Sequence, residues 1–160
     1  MKKHINPIRF VEQCIACFVV IFLLGGCQAT SPGEYFSIKP AWNHQVPGLT
    51  HFSLANGVNI WVQQSPIVTL ADVKTARYIT DADQRPAVMV EFDAAGTARI
   101  SRFTSGHDNQ PLAVFVDGLL ISAPLVNGEV GDEFMVMGLG DKAQAEQFLA
   151  NCKAQAAKAH

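Results

Sequence analysis

The sequence predicts an α+β fold, a mainly antiparallel sheet with two helices packed on one face, in the order β-β-β-β-α-β-β-β-α. The first observation behind this prediction is that Asn56-Gly57 and Asp117-Gly118 each lie between two short apolar runs, a pattern typical of β-hairpins. The second is that Asp93 and Asp141 each precede a stretch with apolar residues at helical spacing, where an aspartate can cap the helix.

The first 26 residues are predicted to be a signal peptide, because three Lys or Arg residues near the start precede a short apolar run over 14–24. That run is shorter than the roughly 20 residues of a membrane-spanning helix. Leu24-Gly25-Gly26-Cys27 resembles the lipobox of bacterial lipoproteins, so we expect cleavage before Cys27 and its acylation with chains such as palmitate. An uncleaved membrane anchor is the alternative, and the short apolar run argues against it.

Cleavage would leave an acidic chain of single-domain size. It removes 26 of the 160 residues and leaves 134, enough for one domain with its own core. Lys2, Lys3, Arg9 and Glu12 leave with the signal peptide, so the formal net charge goes from −2 to −4. This charge offers no footprint for nucleic acid, and membrane attachment would come from lipid on Cys27.

Residues 27–47 are predicted to hold the lipidated cysteine and a flexible tether. They are rich in Ser, Pro, Gly and Ala and lack sustained periodicity. The folded domain is expected over 48–157. Cys152 would then be the one cysteine inside the domain, so no internal disulfide is predicted.

The domain is expected to begin with a hairpin of strands over 49–55 and 58–62 around Asn56-Gly57. Phe52, Leu54 and Trp61 are predicted to share one face of it. A second pair of strands follows, over 74–81 and 87–92.

Asp93 is predicted to cap a helix that runs to about Thr104. Gly96 lies on the apolar face of this helix together with Ile100 and Phe103. Because glycine weakens a helix, we expect Gly96 to be there for a close approach to the sheet.

The stretch from Pro111 to Pro124 is predicted to be a buried hairpin. Asp117 and Gly118 form its turn, since this dipeptide readily supplies the two positive φ angles that a tight type I′ turn needs. Closure by two residues predicts that Val116 pairs with Leu119, Phe115 with Leu120, and Val114 with Ile121.

The chain is expected to end in a strand over 133–137 and a helix capped by Asp141. The apolar stripe of that helix faces inward and includes Cys152, so a buried, inert thiol is favoured over a reactive one. The stripe consists of Ala145, Phe148, Leu149, Cys152 and Ala156.

Residues over about 72–150 carry a resemblance to a known family. They are Ala76, Asp81, Pro86-Ala87-Val88, Phe92, Gly96, Thr104, Leu112-Ala113-Val114, Asp117-Gly118, Ser122-Ala123-Pro124, Gly138 and Ala145. In this order they resemble the head subdomain of the first periplasmic domain of the SecD family, which assists bacterial protein export. The resemblance implies the fold and a contact with unfolded polypeptide, while the proton-driven membrane helices of that family have no counterpart in this sequence.

Phe115, Leu119 and Leu120 are the candidate partner-binding residues, because both faces of the hairpin are apolar near its tip. The alternative interpretation is that one face packs on the helices and the early hairpin covers the other.

The sequence predicts no enzyme, no cofactor and no metal site. Ser105, His107 and Asp108 are residue types used in nucleophilic catalysis, but they crowd into one loop, whereas a triad is assembled from separated elements. His44 and His51 lack a second ligand at metal-binding spacing.

The sequence therefore predicts a lipid-anchored binding module of the cell envelope without catalytic activity, in contact with exported polypeptide or the export machinery. A structural accessory subunit that docks on one fixed envelope partner is the alternative. Gln28, which follows the acylated cysteine, resembles the sorting signal of outer-membrane lipoproteins, so we expect the domain to face the periplasm from the outer membrane.

Overall fold

The computed structural model describes residues 35–158, and the predicted signal peptide, Cys27, Gln28 and the first part of the predicted tether lie outside the described residues. It confirms the α+β class, with antiparallel strands and two helices. The elements are β1 (Phe36–Trp42), β2 (Thr50–Ser53), β3 (Asn59–Val62), β4 (Val68–Thr69), β5 (Val73–Thr80), β6 (Pro86–Phe92), α1 (Ala94–Thr104), β7 (Leu112–Val116), β8 (Leu119–Ser122), β9 (Glu133–Val136) and α2 (Lys142–Ala156).

The strands form two antiparallel sheets where the sequence predicted one. The larger sheet has the order β2-β3-β1-β7-β8, with the two-residue β4 paired to β1. The smaller sheet has the order β5-β6-β9. Apolar side chains of both sheets and both helices meet in one main core, which includes Phe36, Val90, Ile100, Val114 and Phe148.

The structure differs from the predicted tether at β1, which is a central strand of the larger sheet. It pairs with β7 along one edge and with β3 and β4 along the other. Phe36 and Ile38 are fully buried in the main core, whereas Ala41 is fully buried in a second cluster on the opposite face. Pro40 conceals this strand in the sequence, because proline has no amide to donate and is rare in a central strand.

The early hairpin is present, but its register is one residue away from the prediction. The amide of Leu54 donates to the carbonyl of Val58 over 2.9 Å, so the loop holds three residues, and Gly57 takes a left-handed conformation with φ 82°. Phe52 therefore lies opposite Ile60, and Trp61 lies opposite His51. The prediction that Phe52 and Trp61 share a face is wrong, since a shift of one residue moves a side chain to the other face.

Helix α1 starts as predicted, with the Asp93 carboxylate accepting a hydrogen bond from the amide of Gly96 over 2.7 Å. Gly96 is buried against neighbouring elements. A Cβ there would lie 2.9 Å from the Cβ of Asp72 and 3.3 Å from the Cβ of Phe92 in β6. The expected close approach to the sheet is confirmed at Phe92, and the nearest contact is with Asp72 in the turn before β5.

The central hairpin β7–β8 has the predicted two-residue turn, with φ 51° at Asp117 and 74° at Gly118. Val116 pairs with Leu119 and Phe115 with Leu120, as predicted. Val114 pairs with Ser122 and not with Ile121, because a bulge puts one extra residue into β8.

The predicted N-terminal cap and apolar stripe of α2 are present. Asp141 accepts a hydrogen bond from the amide of Gln144 over 2.9 Å, and Ala145, Phe148 and Cys152 are fully buried. In the described part of the chain, no helix has both the length and the apolar character needed to cross a membrane.

Candidate functional site

Phe115, the first of the three candidate partner-binding residues, lies in the interior. Its side chain is 5% exposed and belongs to the second cluster, with Ala41, Ile60 and Val62. Its ring lies edge-on to Phe52 of the early hairpin, with 5.2 Å between ring centroids, and the Lys39 ammonium is 5.1 Å from its centroid. The early hairpin therefore covers this face of β7.

Leu119 and Leu120 point to opposite faces of the hairpin, because consecutive residues of a strand alternate. Leu120 is half-buried against the second cluster. Leu119 lies on the other face, beside Val116, and is 68% exposed. Of the three candidates, Leu119 is the one whose side chain is available to a partner.

A groove of about 450 Å³ opens beside Leu119, between β8 and the start of α2. We call it the hairpin-tip groove. Its apolar lining comes from both sheet and loop residues, and polar side chains of the helix lie at its rim. The lining residues are Tyr35, Val116, Asp117, Leu119, Ile121, Leu139, Asp141, Ala143, Gln144 and Gln147.

Tyr35 and Leu139 are groove residues that the sequence reasoning missed. Tyr35 falls in the predicted tether, yet its ring stacks on Phe148 of α2, with 6.2 Å between centroids. Burial raises the pKa of its hydroxyl, against a hydrogen bond with Asn151 that lowers it. Leu139 lies between two glycines and is 3% exposed. The sequence held two signals for these residues, namely an aromatic residue within the predicted tether and a leucine between two glycines.

Strand β8 also offers an open backbone edge. It ends the path of the larger sheet and, within residues 35–158, its one strand partner is β7. Because Val116 and Leu119 close the turn as a hydrogen-bonded pair, the amide and carbonyl of Leu120 point away from β7. Gly138 packs beside the carbonyl of Ile121, so the loop before α2 borders this edge farther along the strand.

The three loop residues considered for catalysis bind the backbone and not one another. The Ser105 hydroxyl donates to the carbonyl of Arg102, and an Asp108 carboxylate oxygen accepts from the amide of Gly128. The His107 ring stacks on Phe103 and its Nδ1 bonds the Phe103 carbonyl. None of these contacts joins a nucleophile to a base, so the three residues are not arranged as a catalytic triad.

Two further residues of reactive types, Cys152 and His51, also make contacts within the described part of the fold. Cys152 is fully buried in the main core, and burial raises the pKa of its thiol to about 12. His51 contacts Asn59 and Trp61 on the surface of the early hairpin. Within residues 35–158, no group of three or more potential metal-ligating His, Cys, Asp or Glu residues comes together.

Curated relatives of this chain are subunits of the bacterial protein translocase. It is 35% identical to SecD of Rhodobacter capsulatus over 69 residues, which is 43% of this chain and 12% of the relative. It is 29% identical to SecD of Aquifex aeolicus over 77 residues, which is 48% of this chain and 15% of the relative. These matches thus span less than a sixth of each relative.

Solved structures of SecDF share the fold. One, described as a membrane component that enhances protein export, superimposes with a TM-score of 0.59 at 15% identity, over 96% of this chain and 71% of that chain. Another, of SecDF in a super-membrane-facing form, gives 0.56 at 16% identity, over 92% of this chain and 20% of that chain. The sequence of this chain also matches a protein-family model, that of the SecDF P1 head subdomain, over residues 48–157. The hairpin-tip groove thus lies mainly within the matched region, and the chain belongs to the SecDF P1 head subdomain family.

Proposed function

We propose that this protein is a lipid-anchored binding module of the bacterial cell envelope that holds extended polypeptide and catalyses no reaction. The observation that carries the proposal is the hairpin-tip groove, with Leu119 exposed at its rim and the open edge of β8 beside it. Extended polypeptide can bind there by pairing its main chain with the amide and carbonyl of Leu120 and placing alternate side chains in the apolar groove.

Family membership supports exported polypeptide, or the export machinery itself, as the partner. The relatives are translocase subunits, and one structural neighbour is described as enhancing protein export. Because the sequence matches cover a small part of each translocase subunit, we propose polypeptide binding alone for this chain and not the activity of the whole translocase.

The membrane attachment in this proposal comes from acylation of Cys27. More than one acyl chain is needed for stable anchoring, since a single chain gives reversible binding. With Gln28 after the lipidated cysteine, the module would be anchored in the outer membrane and face the periplasm. Mass spectrometry of the mature protein tests this directly, because an unmodified Cys27 contradicts the anchor.

Photocrosslinking in cells tests the binding surface. A photoreactive amino acid at Leu119 is expected to capture polypeptides of many sizes. Leu125 provides a matched control, because it is an equally apolar residue, 59% exposed, that does not line the groove. A single stoichiometric adduct at Leu119 would favour an accessory subunit on one fixed partner. Equal capture at both positions would contradict a role for the groove.

A further inference from the structure

Two acidic side chains and no basic side chain line the hairpin-tip groove. Asp117 and Asp141 line it, and none of its lining residues is Lys, Arg or His. Asp117 makes no ion pair with any residue in 35–158. Lys142, the cation next in sequence to Asp141, instead contacts Glu146 of α2, at 3.6 Å between Nζ and Oε1.

Apolar residues share the lining of the groove with these carboxylates. Val116 and Leu139 are buried in the groove wall, and Ile121 is half-buried. Gln144 and Gln147 add neutral hydrogen-bonding amides from α2. The groove therefore combines a surface for aliphatic side chains with two sites that attract cations.

We infer that the groove selects polypeptide segments in which aliphatic residues alternate with Lys or Arg. In an extended segment, alternate side chains point to opposite sides, so every second, aliphatic residue can enter the groove. The intervening Lys or Arg side chains are long and flexible, so they can bend back past the segment to place their charge near the exposed Asp117 and Asp141. This inference rests on the proposed polypeptide binding and specifies which segments bind best. Because the carboxylates of Asp117 and Asp141 are exposed, we expect each to change the affinity for such a segment by about two- to fivefold at low salt.

Two substitutions remove the charges and keep the local structure. Asp117→Asn retains a residue that tolerates the positive φ angle of the turn. Asp141→Asn retains a good helix cap, whose side-chain oxygen can still accept the Gln144 amide. Asp108→Asn is the matched control, because it removes an exposed carboxylate outside the groove and leaves an acceptor for the Gly128 amide.

The full chain is first anchored in vesicles of phosphatidylcholine, a lipid without net charge. Binding of short labelled peptides to the anchored protein is then measured by fluorescence anisotropy. The peptides alternate leucine with lysine, with serine or with glutamate. We expect the lysine peptide to bind most tightly and the glutamate peptide most weakly, with differences that shrink at high salt. The Asp117→Asn/Asp141→Asn double variant should bind all three peptides alike, whereas Asp108→Asn should keep the preference.

The outcomes separate this inference from the proposed function. Equal affinity of the unmodified chain for all three peptides would overturn the charge selectivity and leave polypeptide binding intact. A lysine preference that persists in the double variant would also overturn it, because the selectivity would then come from elsewhere. Absence of binding by every peptide would contradict both the selectivity and the proposed function.

Discussion

Leu119 and Leu120 are neighbours in sequence with different environments at the tip of the β7–β8 hairpin. Leu120 packs on the second cluster, and Leu119 is 68% exposed beside the hairpin-tip groove. A substitution at Leu120 therefore changes packing as well as surface, whereas one at Leu119 changes mainly the surface. This is why Leu119 is the position for probes of binding.

Gly96 offers a test of close packing at the scale of one residue. Replacing Gly96 by alanine gains about 1 kcal/mol of helix propensity. The new methyl group would lie 2.9 Å from the Asp72 Cβ, and such overpacking costs about 1–3 kcal/mol. We expect Gly96→Ala to lower the free energy of unfolding by about 1 kcal/mol in urea denaturation.

Gly106→Ala is the control for this prediction, because a Cβ at Gly106 meets no heavy atom within 4 Å. Its free energy of unfolding should stay within about 0.5 kcal/mol of the unmodified protein. If Gly96→Ala proves as stable as Gly106→Ala, the close approach of α1 is not needed for stability.

At the scale of elements, the turns decide which side chains face each other. Asp117-Gly118 closes the central hairpin with two residues, whereas Asn56-Gly57 belongs to a three-residue loop. Both dipeptides indicate a hairpin, but the extra loop residue shifts the early hairpin by one position. That shift directs Phe52 toward Phe115 and leaves Trp61 beside His51.

The turn between β5 and β6 is organised by one carboxylate. Asp81 is 9% exposed, and its oxygens accept hydrogen bonds from the amides of Asp83 and Arg85 and from the Arg85 guanidinium, over 2.8–2.9 Å. These donors, the Arg85 amide foremost, hold the pKa of Asp81 below its ordinary value of 3.8 against the opposing effect of burial. The ionised carboxylate is therefore the form that the folded turn requires.

This pKa shift predicts a dependence of stability on pH. Because the folded-state pKa of Asp81 lies below its unfolded value, its contribution is present above about pH 4 and is lost as the pH falls through the folded-state pKa. Asp81→Asn should make the free energy of unfolding less dependent on pH in that acidic range. Urea denaturation at a series of pH values measures the effect.

Asp83→Asn is the control for the pH prediction, since it removes an exposed carboxylate that contacts the same Arg85. It should leave most of the acid sensitivity in place. Glu133 also contributes to the acid sensitivity of the protein, because Arg77 lowers the pKa of its carboxyl. Each variant is therefore compared with the unmodified protein. Equal slopes for Asp81→Asn and the unmodified protein would contradict the role of this turn.

At the scale of the whole molecule, β1 connects the two apolar clusters. Its side chains alternate between the main core, at Phe36 and Ile38, and the second cluster, at Ala41. It also bonds neighbouring strands along both edges. The family match begins at residue 48, so this strand lies before the matched region and still belongs to the folded unit.

Substitution within the predicted tether distinguishes a strand from a linker. Ile38→Ala should lower the free energy of unfolding by about 2–5 kcal/mol, because it opens a cavity in the main core. Gln45→Ala, at an exposed position of the same predicted tether, should change it by less than about 0.5 kcal/mol. Equal effects of the two substitutions in thermal or urea denaturation would show that β1 contributes little.

The sequence by itself determined the α+β class, the caps of both helices, the two-residue turn at Asp117-Gly118 and the close packing at Gly96. The class follows from the spacing of apolar residues and turn dipeptides along the chain. The caps, the turn and the packing each depend on local chemistry, namely a carboxylate beside free amides, positive φ angles and a missing side chain. The resemblance also indicated the family from motifs that keep their order along the chain.

The tertiary structure alone decided the division into two sheets, the central place of β1 and the location of the hairpin-tip groove. Pro40 argues against a central strand at β1, and the strands that bury it, β3 and β7, are distant in sequence. Tyr35, Leu119 and Leu139 likewise come from three separate segments, and packing of α2 brings them together. A site assembled from distant segments has no local pattern, so the folded chain was needed to show it.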